Sequence, residues 1–186
     1  ASIISAVVTS VFCANTTGSV NVSVGTDSLA ANTTASNNSA VGKDSLKANT
    51  TGIQNTAVGM GSADNCTTAN NITALGFEAA GLGTQANQVT AIGSQTLYNN
   101  TGLDNTACGY AALFTNTSGA DNTAVGSNSM NLNTTGAENT AVGSQALEAN
   151  TTGGANTAIG MRAMEATTTG GNNPAVGIFA MGGNTQ

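Results

Sequence analysis

Asp104, Asp121 and Glu138 recur at seventeen-residue spacing, the nearest this chain comes to a chemical constellation. Stacked one above another, they repel unless they are screened or share a hard cation such as Ca²⁺ with nearby oxygens. The glycine-aspartate nonapeptide of calcium-binding rolls is absent, so solvated acids are expected and no metal. Cys13, Cys66 and Cys108 fall in three different columns of the same spacing, about 14 Å apart along a stack of strands. A disulfide needs Cα atoms within about 7 Å, so no intrachain bridge is expected; free thiols are the favoured reading and an interchain bond the alternative. With no histidine, and no nucleophile beside a base, the chain offers nothing for general acid–base or covalent catalysis. Neither an enzyme nor a cofactor is expected.

Three other groups of residues bear on binding. Met60, Phe77, Tyr110, Met161 and Ile178 share one variable column, with Tyr98 and Phe114 in another. Such side chains face solvent in a stack of turns, which makes surface glycans a candidate partner. Asn15, Asn32, Asn49, Asn133 and Asn150 each open an Asn-Thr-Thr run that doubles as a glycosylation sequon. The doubled threonines alternate faces, so a flat ice-binding surface is not expected.

What must position all of these is a repeat. Gly25, Gly42, Gly59, Gly76 and Gly93 lie seventeen residues apart, as do Gly109, Gly126, Gly143, Gly160 and Gly177; the 93-to-109 step is one residue short. A fixed short period means one rung stacked on itself. The expected fold is all-β: a parallel β-solenoid, or β-roll, of eleven seventeen-residue rungs, with residues 1–186 forming a single repeat domain without separate caps. Composition agrees. Only 6% of residues are charged and 3% aromatic, against about 25% charged in ordinary domains. The strict apolar period argues against disorder. A net charge of −6 with three basic residues excludes nucleic acid as a partner, and no apolar run approaches the roughly 18 residues of a membrane span.

Each rung carries a Thr-Ala-Val-Gly phrase. Its second position is alanine almost throughout (Ala40, Ala57, Ala124, Ala141), and its third is branched and apolar (Val41, Val58, Val125, Val142). Neighbours in a strand point to opposite faces. A column held to a methyl group suggests that another backbone lies against it, and lateral association of chains through the alanine face, as a trimer, is expected. A second apolar column runs Leu29, Leu46, Leu97, Leu113 and Leu147. Columns of Asn and Thr are expected to hydrogen-bond to their copies on adjacent rungs.

The run Asn-Thr-Ala-Val-Gly-x-x-Ala-Leu-x-x-Asn-Thr-Thr-Gly, best seen at Asn139–Gly153 and Asn122–Gly136, resembles repeats of phage tail-fibre proteins. It is similar, more loosely, to head repeats of trimeric autotransporter adhesins. The resemblance implies a parallel β-roll, commonly trimeric, displayed outside a cell or on a virion.

The ends of the chain lie in register with each other. Asn184-Thr185-Gln186 followed by Ala1-Ser2-Ile3 continues the repeat, and the terminal rungs are the most apolar. Ile3, Ile4, Val8, Val11 and Phe12 at one end, with Ile178, Phe179 and Met181 at the other, are the expected assembly interface. Apolar ends in register suit head-to-tail stacking into a filament. At about 4.8 Å per rung the subunit rise would be about 53 Å. The absence of an initiating methionine suits an exported protein whose leader has been removed. The expected role is structural: a self-assembling extracellular fibre subunit. A receptor-binding or shaft segment of a phage tail fibre or cell-surface adhesin is the alternative.

Overall fold

The computed structural model describes residues 12–83, 87–183 and 185. Ten three-residue strands form one parallel sheet in sequence order. They are β1 (Val22–Val24), β2 (Ser39–Val41), β3 (Thr56–Val58), β4 (Thr73–Leu75), β5 (Thr90–Ile92), β6 (Thr106–Cys108), β7 (Thr123–Val125), β8 (Thr140–Val142), β9 (Thr157–Ile159) and β10 (Pro174–Val176). Val41 pairs with Val58 and Val125 with Val142, a shift of one period, so each strand lies on the copy of itself in the next rung. The chain is therefore a parallel β-solenoid. The expected rung around Ala6 and Val7 lies outside the described residues.

Hydrogen bonds between rungs are not confined to the strands. The Leu46 N–H donates to the Ser62 carbonyl at 3.0 Å, and the Gly59 N–H donates to the Val41 carbonyl at 2.8 Å. Almost every corner is tied to its neighbour in this way, which is why strands of three residues suffice. The short step between β5 and β6 is absorbed in the Thr-Thr-Gly turn. There the Asn100 amide reaches a carbonyl two residues on, at Gly102, where Asn116 and Asn133 reach three residues on.

The corner glycines have φ between +128° and +137°, a region closed to other residues. A Cβ on Gly143 would lie 2.4 Å from the Gly160 carbonyl oxygen, so neighbouring corners approach backbone to backbone. Three further positions in each rung turn through the left-handed region with ordinary side chains. Gln145 (φ 59°), Leu147 (φ 52°) and Glu138 (φ 60°) represent the three columns. The first and third columns also carry Asp and Asn (Asp44, Asn128, Asp104, Asn172), which tolerate this region; the Leu147 column carries neither, and inter-rung bonds and burial hold it there.

The core overturns one expectation. Ala57, Ala91, Ala124 and Ala141 are fully buried inside this chain's own solenoid, not against a second chain. The wall that closes over them belongs to this chain's own solenoid, from which the Ser129 hydroxyl donates to the Ala141 carbonyl of the next rung at 3.2 Å. Leu29, Leu46, Leu113 and Leu147 fill the rest of the apolar interior. The branched third column points outward instead: Val58, Val125 and Ile159 are 40, 38 and 41% exposed. Alternation showed that Ala and Val face opposite ways, but the interior is too narrow at the strand wall to take the larger of the two.

The remaining interior is amide. Asn116, Asn133 and Asn150 are fully buried. The Asn133 amide donates to Asn116 Oδ1 at 2.7 Å and to the Gly136 carbonyl at 2.9 Å. This column bonds to its copies, as expected. The second asparagine column chiefly ties backbone together: Asn122 Oδ1 accepts from the Asn139 N–H at 3.0 Å, and its amide donates to the Gly136 carbonyl at 2.9 Å. Threonines likewise donate to a backbone carbonyl, Thr134 to Thr151 at 2.9 Å, rather than to the next hydroxyl.

Candidate assembly surfaces

Three surfaces on this scaffold could do something: the outward ladder, a notch, and the open end. The ladder is built by β1 to β10 themselves. Val41, Val58, Ile92, Val125, Val142 and Ile159 lie one above another, all 36–41% exposed, and Cys108 occupies the same column. Beside them, past the glycine corner, runs the variable column, in which Met60, Phe77, Tyr110 and Met161 are 40–56% exposed, facing solvent as expected.

The notch is opened by two glycines. Gly61 and Gly81 stand where other rungs carry side chains, and with Lys43, Asp44, Met60, Asp64, Glu78, Leu82 and Tyr98 they line a cavity of about 250 Å³. A Cβ on Gly81 would lie 2.9 Å from Tyr98 Cε2, so the tyrosine ring rests on glycine backbone. Its other face stacks on Phe114, with ring centres 5.3 Å apart and planes 3° from parallel. Both faces of Tyr98 are thus already covered. Lys43 and Lys47 both pair with Asp44, the latter at 2.9 Å, and hold its carboxyl below the usual range. Burial pushes the Asp64 carboxyl up, and its Oδ1 has no hydrogen-bond partner.

The stacked acids Asp104, Asp121 and Glu138 sit exposed at one of the left-handed corners. Among the described residues no group of three or more Cys, Asp or Glu is placed to hold a metal ion. All three cysteines are free. Cys66 takes the place of a ladder asparagine, its thiol directed at the Gly83 carbonyl, and burial pushes it up to about 12. No described helix is long and apolar enough to cross a membrane.

The residues expected at the assembly interface separate. Ile3, Ile4, Val8 and Val11 lie outside the described residues. Phe12 packs half-buried against the core. At the other end the three side chains have different settings. Met181 belongs to the core column; it is 38% exposed where Leu147 and Met164 are fully buried. Ile178, 68% exposed, lies in the outer variable column. Phe179 occupies a left-handed corner with the Arg162 guanidinium 5.5 Å over its ring. All three side chains are exposed on the same described rung. Alternation along the strand does not reveal the outward ladder as a surface, because it leaves open which face is inside.

No family model, curated protein or solved structure matches this chain.

Proposed function

We propose that this chain is a structural protein, an extracellular fibre subunit that stacks head to tail through its terminal rungs. The observation that carries the reading is the ladder itself: ten parallel strands in sequence order, each paired with its copy one period on. Every rung repeats the same backbone bonds to the next, as the Leu46 N–H does to the Ser62 carbonyl and the Met164 N–H to the Ala180 carbonyl. A parallel edge of this kind recruits another strand wherever it is left uncovered. A second molecule stacked in register would continue the asparagine and threonine columns.

The alternative is a shaft or receptor-binding segment of a phage tail fibre or cell-surface adhesin. Its support is the variable column of Met60, Phe77, Tyr110 and Met161, the kind of exposed, non-repeating surface a receptor or glycan would read. Electron microscopy of the purified chain separates the two. Long filaments whose axial repeat is a whole number of rungs, about 53 Å for eleven, are expected of the fibre subunit. Short discrete particles at micromolar concentration would overturn it.

A further inference from the structure

The fibre reading concerns the ends of the solenoid; the outward ladder concerns its flank. Most of the large apolar side chains left exposed fall on the strand face and on the variable column beside it. Of the twelve charged residues in the chain, these columns hold only Lys43. The others lie at the left-handed corners, as Asp121 and Glu138 do, or in the column of Glu148. The strip is long. Ten strands at about 4.8 Å make it about 45 Å long, and with the variable column it is roughly 15 Å wide. That is roughly 700 Å² per chain, or about 1,400 Å² for a pair, within the about 1,200–2,000 Å² of a stable interface.

We infer that this strip is a lateral interface whose occupant is a second copy of the same chain, lying parallel and in step. The periodicity selects the occupant. A partner must present apolar side chains at the rung spacing over ten rungs if it is to pack against Val41, Val58, Val125 and Val142, and an identical ladder does so by construction. Parallel orientation follows from the fibre reading, on which this inference rests for its direction: only chains running the same way offer coincident open edges for further growth. The interface uses the face opposite to the alanine column. Cys108, the one thiol on the strip, becomes covered in the assembly, while Cys13 lies in a different column of the rung.

The test is the double variant Val58→Lys with Val125→Lys. Both side chains point outward, so each lysine reaches water in the isolated chain, and unchanged circular dichroism would verify the fold. Sedimentation and mass-per-length measurement on the wild type should give two or more chains in cross-section, falling to one in the lysine variant. Maleimide labelling should spare Cys108 in the wild-type assembly by at least tenfold relative to Cys13 and lose that distinction in the variant. The pair Val58→Thr and Val125→Thr, which keeps the β-branch, should retain more than one chain in cross-section. A wild type one chain across, a lysine variant of unchanged cross-section, or Cys108 labelling as fast as Cys13 would each overturn the inference. Filament length reports separately on the ends. Discrete wild-type oligomers that the lysines split would leave the lateral interface standing while the fibre falls; single-chain filaments would do the reverse.

Discussion

Two glycine columns look alike in the repeat and differ in what they require. Gly143 has φ 137° and abuts the Gly160 carbonyl, and its column is glycine in every described rung. Gly153 has ordinary φ, and although a Cβ there would start 2.3 Å from the Gly170 oxygen, the same column carries the buried Ala35 and Ala69. The rungs therefore yield at one corner and not at the other. Gly143→Ala should cost about 3 kcal/mol or more in denaturant unfolding and Gly153→Ala about 1 kcal/mol or less. Equal losses would contradict the distinction. Asp64 makes a second residue-scale case. Burial raises its folded pKa above the ordinary 3.8, so its favourable contribution is complete below that value and is lost as pH rises through the raised one. Asp64→Asn should thus raise the melting temperature at pH 7 and leave it nearly unchanged at pH 3; the opposite order would sink this account of the unpartnered oxygen.

At the scale of the rung, which strand face is inside decides what each position tolerates. Ala124 is fully buried and its neighbour Val125 is 38% exposed. Ala124→Val should cost about 1–3 kcal/mol through overpacking, and Val125→Thr should stay within about 0.5 kcal/mol, as measured by urea unfolding of chains kept dilute. A reversed order would place the valines in the core. Rungs also balance their own volume. The two that replace the core leucine with Ala63 and Ala80 are the two that replace the second buried asparagine with Ile72 and Val89, and they also lose the first asparagine to Cys66 and Gly83. Both amide columns lapse in these two rungs and resume at Asn100 and Asn105, where the Asn105 amide donates to Asn100 Oδ1 at 3.1 Å; at Thr167 the first column lapses alone and Asn173 is kept. Where the first column stops, at Asn49 and Asn150, its last Oδ1 is buried without a hydrogen-bond partner, a cost confined to the ends of each run.

For the whole molecule, the proposed growth along the axis requires the rung at each junction to resemble the interior. Met181→Lys places a charge where the column is otherwise buried, with no interior rung altered. It should leave circular dichroism unchanged and shorten filaments several-fold by length distribution in electron micrographs; unaffected lengths would argue that the described end takes no part in assembly. Because the rungs interact only with neighbours, unfolding should also proceed without full two-state cooperativity.

The period alone determined the parallel solenoid, the positive-φ glycine corner, the unpaired cysteines and the stacked asparagine column. Each of these follows from identical residues returning at one height per turn, which requires no knowledge of the cross-section. The cross-section was decided only by the tertiary structure. Ala124 and Val125 alternate whichever of them faces inward. The interior is narrowed by the opposite wall and already occupied by Leu147, Ser129 and two amides, leaving room for a methyl group alone. The left-handed turn in the Leu147 column was illegible for the same reason: its leucines, alanines and methionines do not favour that conformation, and burial with bonds to neighbouring rungs imposes it.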